Sequence, residues 1–181
     1  MASTKKTLST FKLEYTFFEE TRTTELLMLV DGNNILEFKR NGKRMTTRWD
    51  LRELCLWLRD FLYNLRNDPY PVEVEGEFAA QKDAISRDFE CDDIDEFDNY
   101  YDQLDEWNLR HRWHTACSGA ILADLYFQLV DDKIEISWNN NFREKNVEFT
   151  NVLGGCAVNV NQFVSEVEKF LSDYADYWYK V

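Results

Sequence analysis

Residues 11–17 alternate strictly: Phe11, Leu13, Tyr15 and Phe17 are apolar or aromatic, and Lys12, Glu14 and Thr16 between them are polar. A period of two sends the two sets to opposite faces of a strand, so the spacing predicts a half-buried β-strand. An apolar run over 26–30 predicts a second strand, and Asp31-Gly32-Asn33-Asn34 turns it into a third over 35–39. Asn41-Gly42 then signals a type I′ hairpin, because both central residues of that turn need positive φ. A fourth strand follows over 44–49, so residues 10–49 read as antiparallel strands.

At Asp50 the period changes. Leu51, Leu54, Cys55, Leu58, Phe61, Leu62 and Leu65 recur every three or four residues, which predicts a helix over 50–66 with one apolar face. Asn67-Asp68-Pro69 stops it, since proline disfavours helical backbone in the residue before it. A short extended piece over 72–75 leads into a helical segment over 77–117, whose strong helix begins at Asp92 or Asp93, runs to about Ala116 and is ended by Ser118-Gly119. A hairpin over 121–138 comes next, reversed at Asp131-Asp132-Lys133, with Ile134, Ile136 and Trp138 toward the core and Glu135 and Ser137 on the other face. Extended segments over 147–152 and 156–160 precede a last helix over 161–178, which gathers Phe163, Val167, Phe170, Leu171, Tyr174 and Trp178 on one side. Strands, helices, strands, helix: this order predicts a single α+β domain of antiparallel β-meanders with helices packed on one face.

Composition adds that the core is well supplied. Of 181 residues, thirteen are Phe and six are Trp, which sets the chain apart from a disordered acidic polypeptide of similar charge. No run of eighteen apolar residues and no apolar leader with a small-residue cleavage site occurs, so the expectation is a cytoplasmic protein without a membrane span. Cys55, Cys91, Cys117 and Cys156 are scattered, and free thiols are expected in that compartment.

The net charge of -13 is not spread evenly. Residues 73–106 hold fourteen acidic side chains against Lys82 and Arg87, a local charge of -12, and the rest of the chain is near neutral. On a helix, Asp92, Asp95, Asp98, Asp102, Asp105 and Glu106 fall within an arc of about 140°, opposite Ile94, Phe97, Tyr100, Tyr101, Leu104 and Trp107. Same-face carboxylates repel by a few tenths of a kcal/mol per pair, and aspartate is a poor helix-interior residue. Solubility alone would be served as well by mixed Glu and Lys. The stripe therefore points to a basic protein partner, although a solvated face and a complement to the helix dipole would produce the same pattern. The acidic field argues against direct nucleic-acid binding.

Motifs for catalysis are sparse. The chain contains neither G-x-G-x-x-G, nor a Walker loop, nor H-E-x-x-H, nor the calcium loop pattern D-x-[DN]-x-[DN]-G, so no cofactor and no metal are expected. His111, His114 and Cys117 recur at a spacing of three, but H-x-x-H-x-x-C matches no defined zinc pattern, and helix-mates seldom aim reactive atoms at one another. The better reading of His111 is a buried, hydrogen-bonded histidine. Together with Asp124 and Glu135 it could close a polar network at the helix–sheet junction, structural in the first instance and a small-ligand or enzymatic site in the alternative.

Arg110-His111, Ala116, Gly119, Asp124, Phe127, Asp131 and Ile134-Glu135-Ile136-Ser137-Trp138 resemble the signature of a bacterial family of unknown function: R-H-x-x-x-x-A-x-x-G, then P-D-x-x-F-R-R, then D-x-[IV]-E-I-S-W. The likeness covers about thirty residues, roughly 107–138. Ala123 stands where the family has proline, and Gln128-Leu129 where it has the arginine pair, so any role of those arginines is absent here. The resemblance implies a bacterial or phage-related source and no activity. The function expected from all this is a non-enzymatic interaction module of a conflict or defence system, immunity-protein-like or inhibitor-like, binding through the 92–106 helix. The aromatic C-terminus Tyr174, Tyr177, Trp178 and Tyr179 raises, as a weaker reading, a subunit of a larger assembly.

Overall fold

A computed structural model describes residues 8–63, 68–113, 121–141 and 146–179. It is an α+β fold with antiparallel sheets. In the first sheet β1 (Phe11–Phe18) pairs with β2 (Thr23–Val30), and β2 pairs in turn with β3 (Asn33–Asn34) and β6 (Thr47–Trp49). The register sets Phe11 opposite Val30, Leu13 opposite Met28 and Tyr15 opposite Leu26, which puts the alternating apolar set on one face. A second sheet, in the order β10-β8-β7, is built from β7 (Leu125–Val130), β8 (Lys133–Asn139) and β10 (Leu153–Asn159). A third is β5-β4-β9, from β4 (Phe38–Arg40), β5 (Lys43–Met45) and β9 (Val147–Phe149). Ser9 bridges in parallel to Val158, joining the first sheet to the second.

Both hairpin signals are real turns, with φ of 48° and 78° at Asp31 and Gly32 and of 52° and 75° at Asn41 and Gly42. The strands around them are shorter than the pattern predicts. The expected strand over 35–39 is divided: β3 ends at Asn34, Ile35 and Leu36 are consecutively buried as the chain crosses the core, and β4 begins a different sheet at Phe38. The expected strand over 44–49 is likewise divided at Thr46, β5 staying with β4 and β6 returning to β2. Two neighbouring buried residues break the alternation, which is why a period-two reading runs straight through the crossover.

Helix α1 (Arg52–Tyr63) starts beside Asp50, whose Oδ1 accepts from the Arg52 N–H. Helix α4 (Val160–Trp178) is capped by Asn159, whose side chain accepts from Asn161 and Gln162. These two helices fill one side of the main core, where Phe11, Phe61, Phe127, Phe163 and Phe170 are buried together. α4 also closes the edge of β1: Gln162 Nε2 donates to the Phe11 carbonyl, and Glu166 accepts from the Leu13 N–H at 3.0 Å. Such groups would otherwise be open to strand pairing.

The second sheet carries a further layer on its opposite face. Helix α2 (Ala79–Ser86) lies over the face bearing Tyr126, Glu135 and Ser137, and its first turn is held there: Ala79 N–H donates to Glu135 Oε1 at 2.8 Å and Ala80 N–H to Ser137 Oγ at 3.1 Å. Gly155 permits the close approach, since a Cβ there would stand 2.6 Å from the Phe78 ring. Helix α3 (Ile94–His111) packs beside α2, and Tyr70, Ala79, Ala80, Leu104, Trp107 and Tyr126 make a second, smaller core. Among the described residues no helix is long and apolar enough to cross a membrane.

Candidate functional site

Helix α3 is capped by Asp93, whose carboxylate accepts from the Asp95 and Glu96 N–H groups. One side is anchored: Leu104, Trp107, Asn108 and His111 are buried, Tyr100 stacks on Phe89 at 3.9 Å, and the Tyr101 hydroxyl donates to the Arg87 and Phe89 carbonyls. Ile94 and Phe97, expected on the buried side, are exposed, at 75% and 38%, although the Phe97 ring still touches Tyr101 at 4.7 Å. Asp92, Asp95, Asp98, Asp102, Asp105 and Glu106 are all exposed. Asp105 pairs with Arg87 at 3.3 Å, and among the described residues no cation pairs with the other five.

The buried polar centre of the α2–α3 layer is Asp83, which in the sequence is one of the fourteen acidic side chains of residues 73–106. It is 6% exposed. Oδ2 accepts from the Tyr126 hydroxyl at 2.9 Å, and Oδ1 accepts from Asn108 Nδ2 at 2.9 Å and from Arg87 at 3.3 Å. One carboxylate thus ties α2, α3 and β7 together. Burial and the neighbouring Asp124 and Asp83 charges hold the Tyr126 hydroxyl protonated, well above the ordinary phenol range. A sequence signal exists in Asp83, Ser86 and Arg87 at helical spacing, but only the fold shows that this face meets β7.

His111, Asp124 and Glu135 are placed at three points along the sheet. Glu135 lies opposite Gln128, and Asp124 lies near Asn139, four residues further along β8 and so about 13 Å away. Asp124 holds Arg112 in a bidentate pair, with Nε to Oδ1 at 2.6 Å and the second nitrogen to Oδ2 at 2.7 Å. Glu135 caps α2. His111, 3% exposed, uses Nδ1 against the Phe127 carbonyl at 2.7 Å. A carbonyl only accepts, so Nδ1 carries the proton and Nε2 is left with its lone pair. Nε2 is buried with no hydrogen-bond partner, and Asp68 Oδ2 stands 3.6 Å from it. Burial lowers the His111 pKa from its usual value, outweighing the Phe127 carbonyl and the Asp68 charge.

α3 ends at His111, and its C-cap Arg112 is extended, so the continuing helix that would align His111 with positions 114 and 117 stops short. His114, Ala116, Cys117 and Gly119 lie outside the described residues. Cys91 and Cys156 are free thiols, and burial pushes the Cys156 thiol up to about 12, which keeps it protonated. Among the described residues no three His, Cys, Asp or Glu side chains converge as metal ligands. Compared with known proteins, the chain matches no family model, no curated protein and no solved structure.

Proposed function

We propose that this protein is a non-enzymatic interaction module that captures a cationic protein surface on α3, in the manner of an immunity protein or inhibitor in a bacterial or phage conflict system. The observation that carries the reading is the exposed set Asp95, Asp98, Asp102 and Glu106 on α3, with Asp92 ahead of the Asp93 cap and so outside the helix where the sequence pattern placed it; all five are unpaired among the described residues, and the C-terminal half of the helix is tied to α2 and β7. A fixed row of carboxylates is preorganised to accept from arginine and lysine, and ordering it costs little on binding. Ile94 and Phe97 on the adjoining side of the same helix are exposed, and apolar anchors of that kind let a charged interface exclude water. The motif likeness at 110–138 favours a bacterial or phage source.

The test is affinity capture from the native host at low and at high salt, with the wild-type chain beside a variant carrying Asp95, Asp98, Asp102 and Asp105 replaced by Asn. A basic protein retained at low salt, released at high salt and lost by the variant is the expected result. Equal retention by both chains, with an unchanged far-UV spectrum, would refute it.

A further inference from the structure

A cavity of about 380 Å³ lies between the β4–β5 hairpin and the pairing of β2 with β6. Phe38, Met45, Trp49 and Ile121 give it apolar surface, Arg40 and Arg48 give it charge, and no carboxylate is among its described lining residues. That is unusual in a chain of 34 acidic side chains against 21 basic ones. It follows from a local inversion of charge: residues 38–49 contain Lys39, Arg40, Lys43, Arg44 and Arg48 and no acid.

The two arginines differ in how they are held. Arg48 is fixed by its neighbours: Nε donates to Thr23 Oγ1 and a terminal nitrogen to Thr21 Oγ1, both at 3.0 Å, and the guanidinium lies 3.6 Å from the centre of the Phe18 ring. A guanidinium carries more N–H donors than these bonds use, so others remain to be donated. Arg40 is exposed, and its side chain has no hydrogen bond and no ion pair among the described residues. Glu25 lies across the β2–β6 ladder from Arg48, but it accepts from Thr46 and makes no ion pair with the guanidinium. Trp49 is 41% exposed, and among the described residues its ring meets no other aromatic ring and its N–H no acceptor.

We propose that this cavity binds a small phosphate monoester carrying a flat ring, such as a mononucleotide, with the phosphate held by Arg40 and Arg48 and the ring against Trp49. A phosphate monoester carries about −1.5 to −2 charges at neutral pH, which two guanidiniums match, and their planar forks suit its oxygens. A carboxylate of the same shape brings about half that charge. The indole supplies a flat apolar surface for the ring, and the volume is at the small end of the range for ligand sites. The acidic helix α3 packs on the second sheet, whereas this cavity is built from the first and third. Exposed charges separated by more than about 8 Å are largely screened at physiological ionic strength, so the net charge of the chain does not close the site to an anion. The cavity shares no residue with the acidic row of α3 and stands or falls independently of it.

The experiment titrates the full chain with adenosine monophosphate, and separately with adenosine and with inorganic phosphate, at physiological salt. Binding is followed by the NMR signals of the Trp49 indole and the Arg48 Nε. The monophosphate is expected to shift both signals saturably below about 1 mM, and each half of it alone to require at least about tenfold more. Arg40→Gln removes no side-chain contact within the chain, and is expected to weaken the monophosphate about tenfold while the melting temperature holds. Lys39→Gln makes the same change of charge on the opposite face of β4, and is expected to leave binding within about twofold. Three results would each overturn the proposal: a monophosphate bound no more tightly than adenosine or phosphate, R40Q weakening it no more than K39Q does, or a Trp49 signal that it does not move.

Discussion

Removing one oxygen atom tests whether the α2–α3 layer is a closed, dry part of the fold. In Tyr126→Phe the ring keeps its place against Trp107 and beneath the Arg112 guanidinium, 5.4 Å from the ring centre, and only the hydroxyl is lost. That hydroxyl is the hydrogen-bond donor to Asp83 Oδ2, in a residue 1% exposed, while Oδ1 keeps Asn108 and Arg87. A hydrogen bond to a charged group contributes about 1.5–3 kcal/mol, and its loss strands a buried carboxylate oxygen, so the variant should lose about 2 kcal/mol. With a urea m-value of about 2 kcal/mol/M the unfolding midpoint falls by about 1 M, and Tm falls by about 4–8 °C. In an Asp83→Asn background the same substitution should cost less than half as much, because the charge it served is gone. A Tyr126→Phe loss within about 0.5 kcal/mol of zero would refute the argument: water would be reaching Asp83, and α3 would not be rigidly held.

Further outcomes follow from His111 and Gly155. The folded pKa of His111 lies below its unfolded value of about 6.5, chiefly through burial, so the unfolded chain takes up the proton first. Stability should therefore decline as pH falls from about 6.5 to the lower folded value and then level off for this group; urea midpoints across that window should show a slope that His111→Gln reduces, and identical slopes would contradict the burial argument. Gly155→Ala would place a methyl group 2.6 Å from the Phe78 ring, forcing away the N-cap residue of α2. Overpacking of this kind costs about 1–3 kcal/mol, visible as a lower Tm and faster proteolysis around residues 78–86, whereas an unchanged melting curve would mean that the α2 contact is loose.

The sequence by itself determined the local parts. Alternation at Phe11, Leu13, Tyr15 and Phe17 names the buried face of β1, the Asn41-Gly42 and Asp31-Gly32 pairs place two turns, and three-to-four spacing defines α1 and α4. Asp93 caps α3, within the helix start the sequence allows, and the concentration of charge in residues 73–106 needs no coordinates. Periodicity, however, says only which side chains share a face. It does not say what covers that face. Alternation puts Glu135 and Ser137 on the face opposite Ile134 and Ile136 but does not name their partners, and the fold sets them against the first turn of α2. Asp68 reads as a helix stop, and Asp83 as one carboxylate in an acidic run. Tertiary structure makes the first the neighbour of an unmet imidazole nitrogen and the second the buried tie between two helices and a strand. Polar side chains acquire such roles from partners distant in sequence: Asp68 and Gln128, or Asp83 and Tyr126, meet only once the sheet has formed, and no local pattern encodes that distance.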